Sequence, residues 1–198
     1  MSYGQHIIPH NFSVTKEGRN SLYGHLSGVF WLTGLSGAGK STLADLASKR
    51  LFEHRIGHYI LDGDNTRKGL CHDLGFTMEE RRENIRRVAE VARMMSDAGL
   101  VVLVSLISPM QDDRNLARAI IGQSQFFEVF VDCPVEVCVS RDPKGLYQKA
   151  MAGEIVQFTG IDSPYEVPEC PDLTLDTASG SREDLAVEFV DFILHRIK

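Results

Sequence analysis

Short apolar blocks recur along this chain at residues 28–32, 57–61, 100–104, 126–131 and 173–175, separated by longer amphipathic stretches. Leu100-Val101-Val102-Leu103-Val104 is continuous and rich in β-branched residues, the signature of a strand buried on both faces. Residues 40–52, 78–98 and 182–197 carry helical periodicity instead. In the second of these, Thr77 with Glu80 predicts a capping box and Gly99 a C-terminal stop. At 100° per residue its Ile85, Val88, Ala92 and Met95 form one stripe. Strands alternating with helices predict an α/β fold, a doubly wound five-stranded parallel sheet flanked by helices. Residues 1–27 have few apolar positions and no period, and read as an N-terminal arm before a single domain over residues 28–198.

The first strand leads into Gly34-Leu35-Ser36-Gly37-Ala38-Gly39-Lys40-Ser41-Thr42, where the first amphipathic helix begins. Strand, glycine-rich loop and helix are the context of a phosphate-binding P-loop. Glycines let the backbone curl with its N–H groups inward, and the helix N-terminus adds partial positive charge to the same hollow. Lys40 can then reach the β- and γ-phosphates of a nucleotide such as ATP, and the Ser41 hydroxyl can ligate Mg²⁺. The second strand ends at Asp62-Gly63-Asp64, which places carboxylates where α/β sheets bind ligands. Extending the apolar stripe of residues 78–98 backwards passes through Arg81 and borders Asn84. A guanidinium aimed along a core stripe calls for an anion, either a structural carboxylate or a bound ligand.

Composition narrows the class. A net charge of -6 argues against general nucleic-acid binding, which needs a basic face. No stretch approaches the apolar length of a membrane span, and the first 26 residues hold no signal-peptide core, so a cytoplasmic protein is expected. Cys71, Cys133, Cys138 and Cys170 form no metal-ligand spacing and read as reduced thiols.

Several motifs are far more specific than the P-loop. Asp62-Gly63-Asp64-Asn65-Thr66-Arg67, Asp73-Leu74-Gly75-Phe76, and Arg81 with Glu83-Asn84-Ile85-Arg86-Arg87 resemble the adenylyl-sulfate kinases, P-loop kinases of sulfate activation. Ile107-Ser108-Pro109, Asp142-Pro143-Lys144-Gly145-Leu146-Tyr147 and Phe158-Thr159-Gly160-Ile161-Asp162-Ser163-Pro164-Tyr165-Glu166 continue the likeness, which covers residues 10–177. The resemblance implies MgATP-dependent phosphorylation of the 3′-hydroxyl of adenosine 5′-phosphosulfate (APS), giving 3′-phosphoadenosine 5′-phosphosulfate and ADP. It implies that Asp64, Asn65, Arg67, Arg81, Asn84, Ile107, Ser108 and Lys144 bind the acceptor, with Phe76 and Phe158 against its adenine. Gly34 to Thr42 and Arg141 would hold ATP, and Ser41 with Asp62 the Mg²⁺. Lys40, Asp62, Asp64 and Ser108 are the catalytic candidates. Asp62 and Asp64 can orient the hydroxyl, accept its proton or hold a metal-bound water, and the sequence does not divide those roles. Some family members carry a phosphoserine at the position of Ser108, whereas direct in-line transfer needs none, so substrate contact is the favoured role. Residues 145–172, rich in Gly and Pro at their core, read as a lid. Family members are commonly homodimers.

Departures from the family pattern include Met110-Gln111, where an aromatic and a basic residue are common, Val156-Gln157 before Phe158, and Arg82 in place of Asn. A kinase for a sugar acid or a nucleoside, and a non-enzymatic nucleotide switch, are the competing readings. No Asn is followed by Lys, so the base-reading motif of a GTPase switch is missing.

Overall fold

The computed structural model describes residues 8–198, and the first seven residues of the N-terminal arm lie outside the described residues. Five strands, β1 (Gly28–Thr33), β2 (His58–Asp62), β3 (Val101–Ser105), β4 (Phe126–Asp132) and β5 (Leu173–Asp176), form one sheet in the order β2-β3-β1-β4-β5. Every pairing is parallel, with Leu32 level with Ser105 on one side and Val129 on the other. The five apolar blocks of the sequence are these strands, shifted by at most a residue at each end. Strand β1 sits at the centre, and the chain leaves it first towards β2 and later towards β4. Its C-terminal end is therefore the switch point at which such sheets open a ligand crevice.

Alternation along β1 and β3 divides the core between the two faces. Phe30, Leu32, Val101 and Leu103 join one cluster, which packs with α2 (Lys40–Glu53) and α8 (Arg182–Ile197). Val29, Trp31, Val102 and Val104 join the other, beneath α4 (Met78–Asp97) and α5 (Gln111–Ile121). Helix α4 has the expected capping box between Thr77 and Glu80, and Ile85, Val88 and Ala92 are its buried stripe. Burying Leu and Val side chains of this kind stabilises the fold by roughly 1.5–3 kcal/mol each.

Helices also form in the segments read as arm and lid. Within the N-terminal arm, α1 (Lys16–Tyr23) starts at Thr15, whose hydroxyl accepts from Gly18 N, and stops at left-handed Gly24. It docks on the far end of α4 through Arg19–Asp97 at 3.3 Å and Lys16 Nζ to Ser96 Oγ at 3.3 Å. In the segment read as a lid, α7 (Leu146–Met151) forms because both carboxylate oxygens of Asp142 accept from Tyr147 N and Gln148 N, satisfying first-turn donors. Short helices α3 (Gly63–Arg67) and α6 (Val135–Arg141) follow β2 and β4.

Candidate active site

The loop between β1 and α2 has the conformation that its glycines permit. Gly34, Gly37 and Gly39 all have positive φ, and a side chain at Gly34 would collide with the Val131 carbonyl. Helix α2 begins at Gly39 with no side-chain cap, so its first N–H groups are left for an anion. Lys40 is buried and donates to the carbonyls of Gly34 at 2.8 Å and Leu35 at 2.7 Å. Burial pushes its pKa down to about 8, because those dipoles solvate an ammonium less well than water or phosphate would. Tyr147 Oη donates to the Ser36 carbonyl, and Thr177 Oγ1 to that of Ala38, so two side chains distant in sequence hold the loop. Neither was expected from the sequence, where no periodic signal marks them. Thr42 is exposed in the first turn of α2.

Across the crevice, β2 ends at Asp62. Its Oδ2 accepts from Ser41 Oγ at 2.6 Å and its Oδ1 from Asp64 N and Asn65 N, so one carboxylate joins the P-loop helix to α3. Ser105 Oγ, from the end of β3, lies 3.2 Å from Ser41 Oγ. This hydroxyl and carboxylate set is made of hard oxygen donors and suits Mg²⁺, which keeps most of its shell as water and phosphate oxygens. Among the described residues no three His, Cys, Asp or Glu gather at one point, so an ion here depends on the nucleotide for further ligands. Asp64 is exposed and forms an ion pair with Lys144, which crosses from the segment after α6. Lys144 thus has a carboxylate partner already, where the resemblance gives it an anionic ligand.

Around the start of α4 the charges are arranged differently. Arg81 donates to the Phe76 carbonyl at 2.8 Å, to Thr159 Oγ1 at 2.8 Å and to the Gln157 carbonyl. Of the two anions that a core-facing arginine calls for, a structural carboxylate is not within ion-pair distance among the described residues, and neutral acceptors of the 152–172 segment bind the guanidinium. Arg67 likewise donates to the carbonyls of Leu74 and Gly75. Both guanidinium carbons lie over the ring of Phe76, at 4.3 Å and 5.9 Å, while 61% of Phe76 is exposed. Burial lowers both pKa values, and the charge of Arg67 lowers that of Arg81 further. Nearby, buried Asn84 has an amide nitrogen without a partner among the described residues. Two cations and a buried amide donor thus gather beside one exposed aromatic ring, a set whose chemistry suits an anionic aromatic ligand.

The remaining candidates are more enclosed. Phe158 is buried, with its ring edge-to-face on Tyr147 at 4.9 Å, so it belongs to the core cluster and is not paired with Phe76 as a second open face. The Ile107 carbonyl accepts from Thr33 Oγ1 at 2.7 Å. Ser108 is only 2% exposed and its Oγ accepts from Trp31 Nε1 at 2.9 Å, pointing the hydroxyl into the core. Arg141 donates to Thr177 and to Cys133 Sγ, beside the Ala38 carbonyl that Thr177 also binds.

A cradle of this form at the switch point of a β2-β3-β1-β4-β5 sheet holds the polyphosphate of a nucleotide, and the class it defines is that of the P-loop kinases. Comparison with known proteins narrows the class. The family model described as adenylylsulphate kinase matches residues 26–176. An adenylyl-sulfate kinase of Shewanella amazonensis is 52% identical over 189 residues, covering 96% of each chain. The structure of the Mycobacterium tuberculosis APS kinase in complex with AMPPNP and APS has a TM-score of 0.83 at 50% identity, covering 85% of this chain and 98% of that one. A hexameric APS kinase from Thiobacillus denitrificans has a TM-score of 0.65 at 29% identity, covering 86% of this chain and 29% of that one. The chain described here belongs to the adenylyl-sulfate kinase family.

Proposed function

We propose that this protein transfers the γ-phosphoryl group of ATP to the 3′-hydroxyl of APS, yielding 3′-phosphoadenosine 5′-phosphosulfate and ADP. The observation that carries the reading is the pair of arginines, Arg67 and Arg81, set over one exposed aromatic ring with no carboxylate ion-paired to them among the described residues, and the amide of Asn84, unpaired among those residues, close in sequence. An acceptor that is both anionic and aromatic supplies what each lacks: oxygens for the guanidiniums and the amide, and a flat base for Phe76. A sugar acid supplies no flat base, and a nucleoside no anion. Family membership and the APS-bound Mycobacterium tuberculosis relative support the same acceptor.

Phosphoryl transfer is largely positioning and charge neutralisation. In this reading the free N–H groups of the 34–42 loop and Lys40 bind the ATP phosphates, with the Lys40 ammonium leaving the loop carbonyls for the stronger acceptor. Ser41 and Asp62 would hold Mg²⁺, which when bound neutralises β- and γ-phosphate oxygens. Arg141 and the loop after Thr177 flank the nucleotide base. Asp64 is the candidate to orient the acceptor hydroxyl, and Lys144, its partner here, moves to phosphate when ATP and APS are both present. Ile107 and Ser108 shape the acceptor side through backbone placement. Within residues 145–172, the stretch after α7 acts as the lid and is anchored by Tyr165 and Glu166. Phe158 reaches adenine if that lid shifts its ring off Tyr147.

We place the activity in the cytoplasm, where ATP is abundant and four free thiols persist. Among the described residues no helix is long and apolar enough to cross a membrane. A homodimer is the assembly that the resemblance implies. Sedimentation of the purified chain distinguishes it from a hexamer like that of the Thiobacillus denitrificans relative.

The test is an acceptor panel. With MgATP, ADP release is expected with APS and not with gluconate or adenosine; release with gluconate or adenosine alone would overturn the proposal.

A further inference from the structure

We propose that Arg114 is a positioning residue for the acceptor side of the site, a role that rests on the reading of APS as acceptor. Arg114 is 1% exposed, on the first turns of α5, and its counter-ion Glu128 on β4 is 3% exposed. Arg114 Nε lies 2.7 Å from Glu128 Oε1, a close ion contact whose N–H points off the hydrogen-bond line. Its other two nitrogens donate to the carbonyls of Ser108 at 2.8 Å, Pro109 at 3.2 Å and Glu166 at 2.8 Å, and to Gln111 Oε1 at 2.6 Å. One planar cation thus ties the segment after β3 to the end of the lid segment. Lysine, a point charge on a flexible stem, cannot span that set.

The joint has a mechanical purpose. Ser108 has φ 45°, a left-handed conformation unusual for a residue with a side chain, and such strain persists only where the surroundings over-determine it. Trp31 holds its hydroxyl, Thr33 its carbonyl and that of Ile107, and Arg114 grips its carbonyl from beneath. On the lid side, Glu166 N donates to the Pro109 carbonyl, the Glu166 carboxylate accepts from Gln111 N, and Tyr165 Oη meets Thr33 Oγ1 at 3.0 Å. Burial pushes the Tyr165 hydroxyl up to about 12. The same segment, several residues earlier, carries Gln157 and Thr159 against Arg81. Arg114 is therefore continuous with the acceptor wall through both of its ends. The P-loop clamps, Tyr147 and Thr177, share no hydrogen bond with it. Gln111 stands where a basic residue is common in the family; its amide oxygen accepts from Arg114, as a lysine or arginine could not.

Arg114→Lys keeps a cation for Glu128 and removes the fork. In the full-length protein, KM for APS should rise about tenfold or more while KM for ATP stays within about twofold. Trp31, the single tryptophan, reports the Ser108 segment directly, and its emission should become more accessible to acrylamide. Active wild-type protein together with a variant whose two KM values change equally, or not at all, overturns the proposal. Wild-type protein that does not turn over APS sinks the reading of the acceptor, and this role with it. Should Arg114→Lys fail to fold, Arg114→Met combined with Glu128→Met removes both buried charges at once. The same split between the two KM values is then expected, and an equal change overturns the role.

Discussion

Arg81 Nη1 lies 2.8 Å from Thr159 Oγ1, so the first turn of α4 holds the segment that crosses the crevice through a guanidinium with only neutral acceptors. An arginine in that state is held ready for an anion, and exchanging a hydroxyl and two carbonyls for a phosphosulfate is favourable. Arg81→Ala should remove a charge-assisted contact of about 2 kcal/mol, raising KM for APS roughly 30-fold. KM for ATP should move by less than about threefold. Steady-state kinetics with each substrate varied in turn checks the split, and equal effects would contradict it.

Lys40 gives a pH dependence with a definite sign. Its buried ammonium has a pKa lowered to about 8 from the ordinary 10.5, so between those values the nucleotide-free protein has released a proton that the unfolded chain retains. On account of this group, stability rises with pH across that window, and holding the charged form costs stability below it. ATP binding favours the charged form. Nucleotide binding should therefore take up a proton at pH 8.5 and weaken as pH climbs above 8. Calorimetry in buffers of different ionisation enthalpy measures that uptake, which Lys40→Met should abolish.

Asp62→Asn separates the metal role of this residue from its capping role, because asparagine also caps a helix N-terminus. The fold should survive with melting temperature nearly unchanged. The Mg²⁺ concentration for half-maximal rate should rise by about tenfold, as expected when a hard anionic donor becomes neutral. An unchanged Mg²⁺ requirement would remove Asp62 from the metal site.

The Ser108 hydroxyl accepts from Trp31 Nε1 inside the core, with Arg114 the nearest charge on its backbone. Ser108→Ala should keep kcat within about threefold yet lose about 1–3 kcal/mol of stability, the cost of an unpaired buried indole N–H. Denaturant melts and initial rates on the same preparation test both halves. Loss of all turnover in a stably folded Ser108→Ala protein would restore the phosphoserine intermediate.

What the sequence made legible were features written in local pattern. The five apolar blocks, the Thr77–Glu80 box, the glycine loop and the carboxylate ending β2 all follow from spacing and composition, and the structure has each of them. Helix α1 was missed because its eight residues bury no side chain, although Thr15 and Gly24 bracket it with an N-cap and a left-handed stop. Long-range polar contacts left no trace. Arg114 with Glu128 and Lys144 with Asp64 join residues far apart in the chain, and a charged residue in a helical pattern reads as solvated until its partner is known. Phe158 shows the complementary limit: placing it in an irregular segment does not reveal that Tyr147 covers its ring.

The reaction is defined by the atom to which phosphate is delivered. Phosphorus NMR of the product formed from MgATP and APS should show a new phosphomonoester on the ribose 3′-oxygen, the phosphosulfate intact, and one ADP for each nucleotide converted. A phosphate elsewhere on the nucleotide, or ADP release that leaves APS unchanged, would rule out 3′-phosphorylation of APS by this protein.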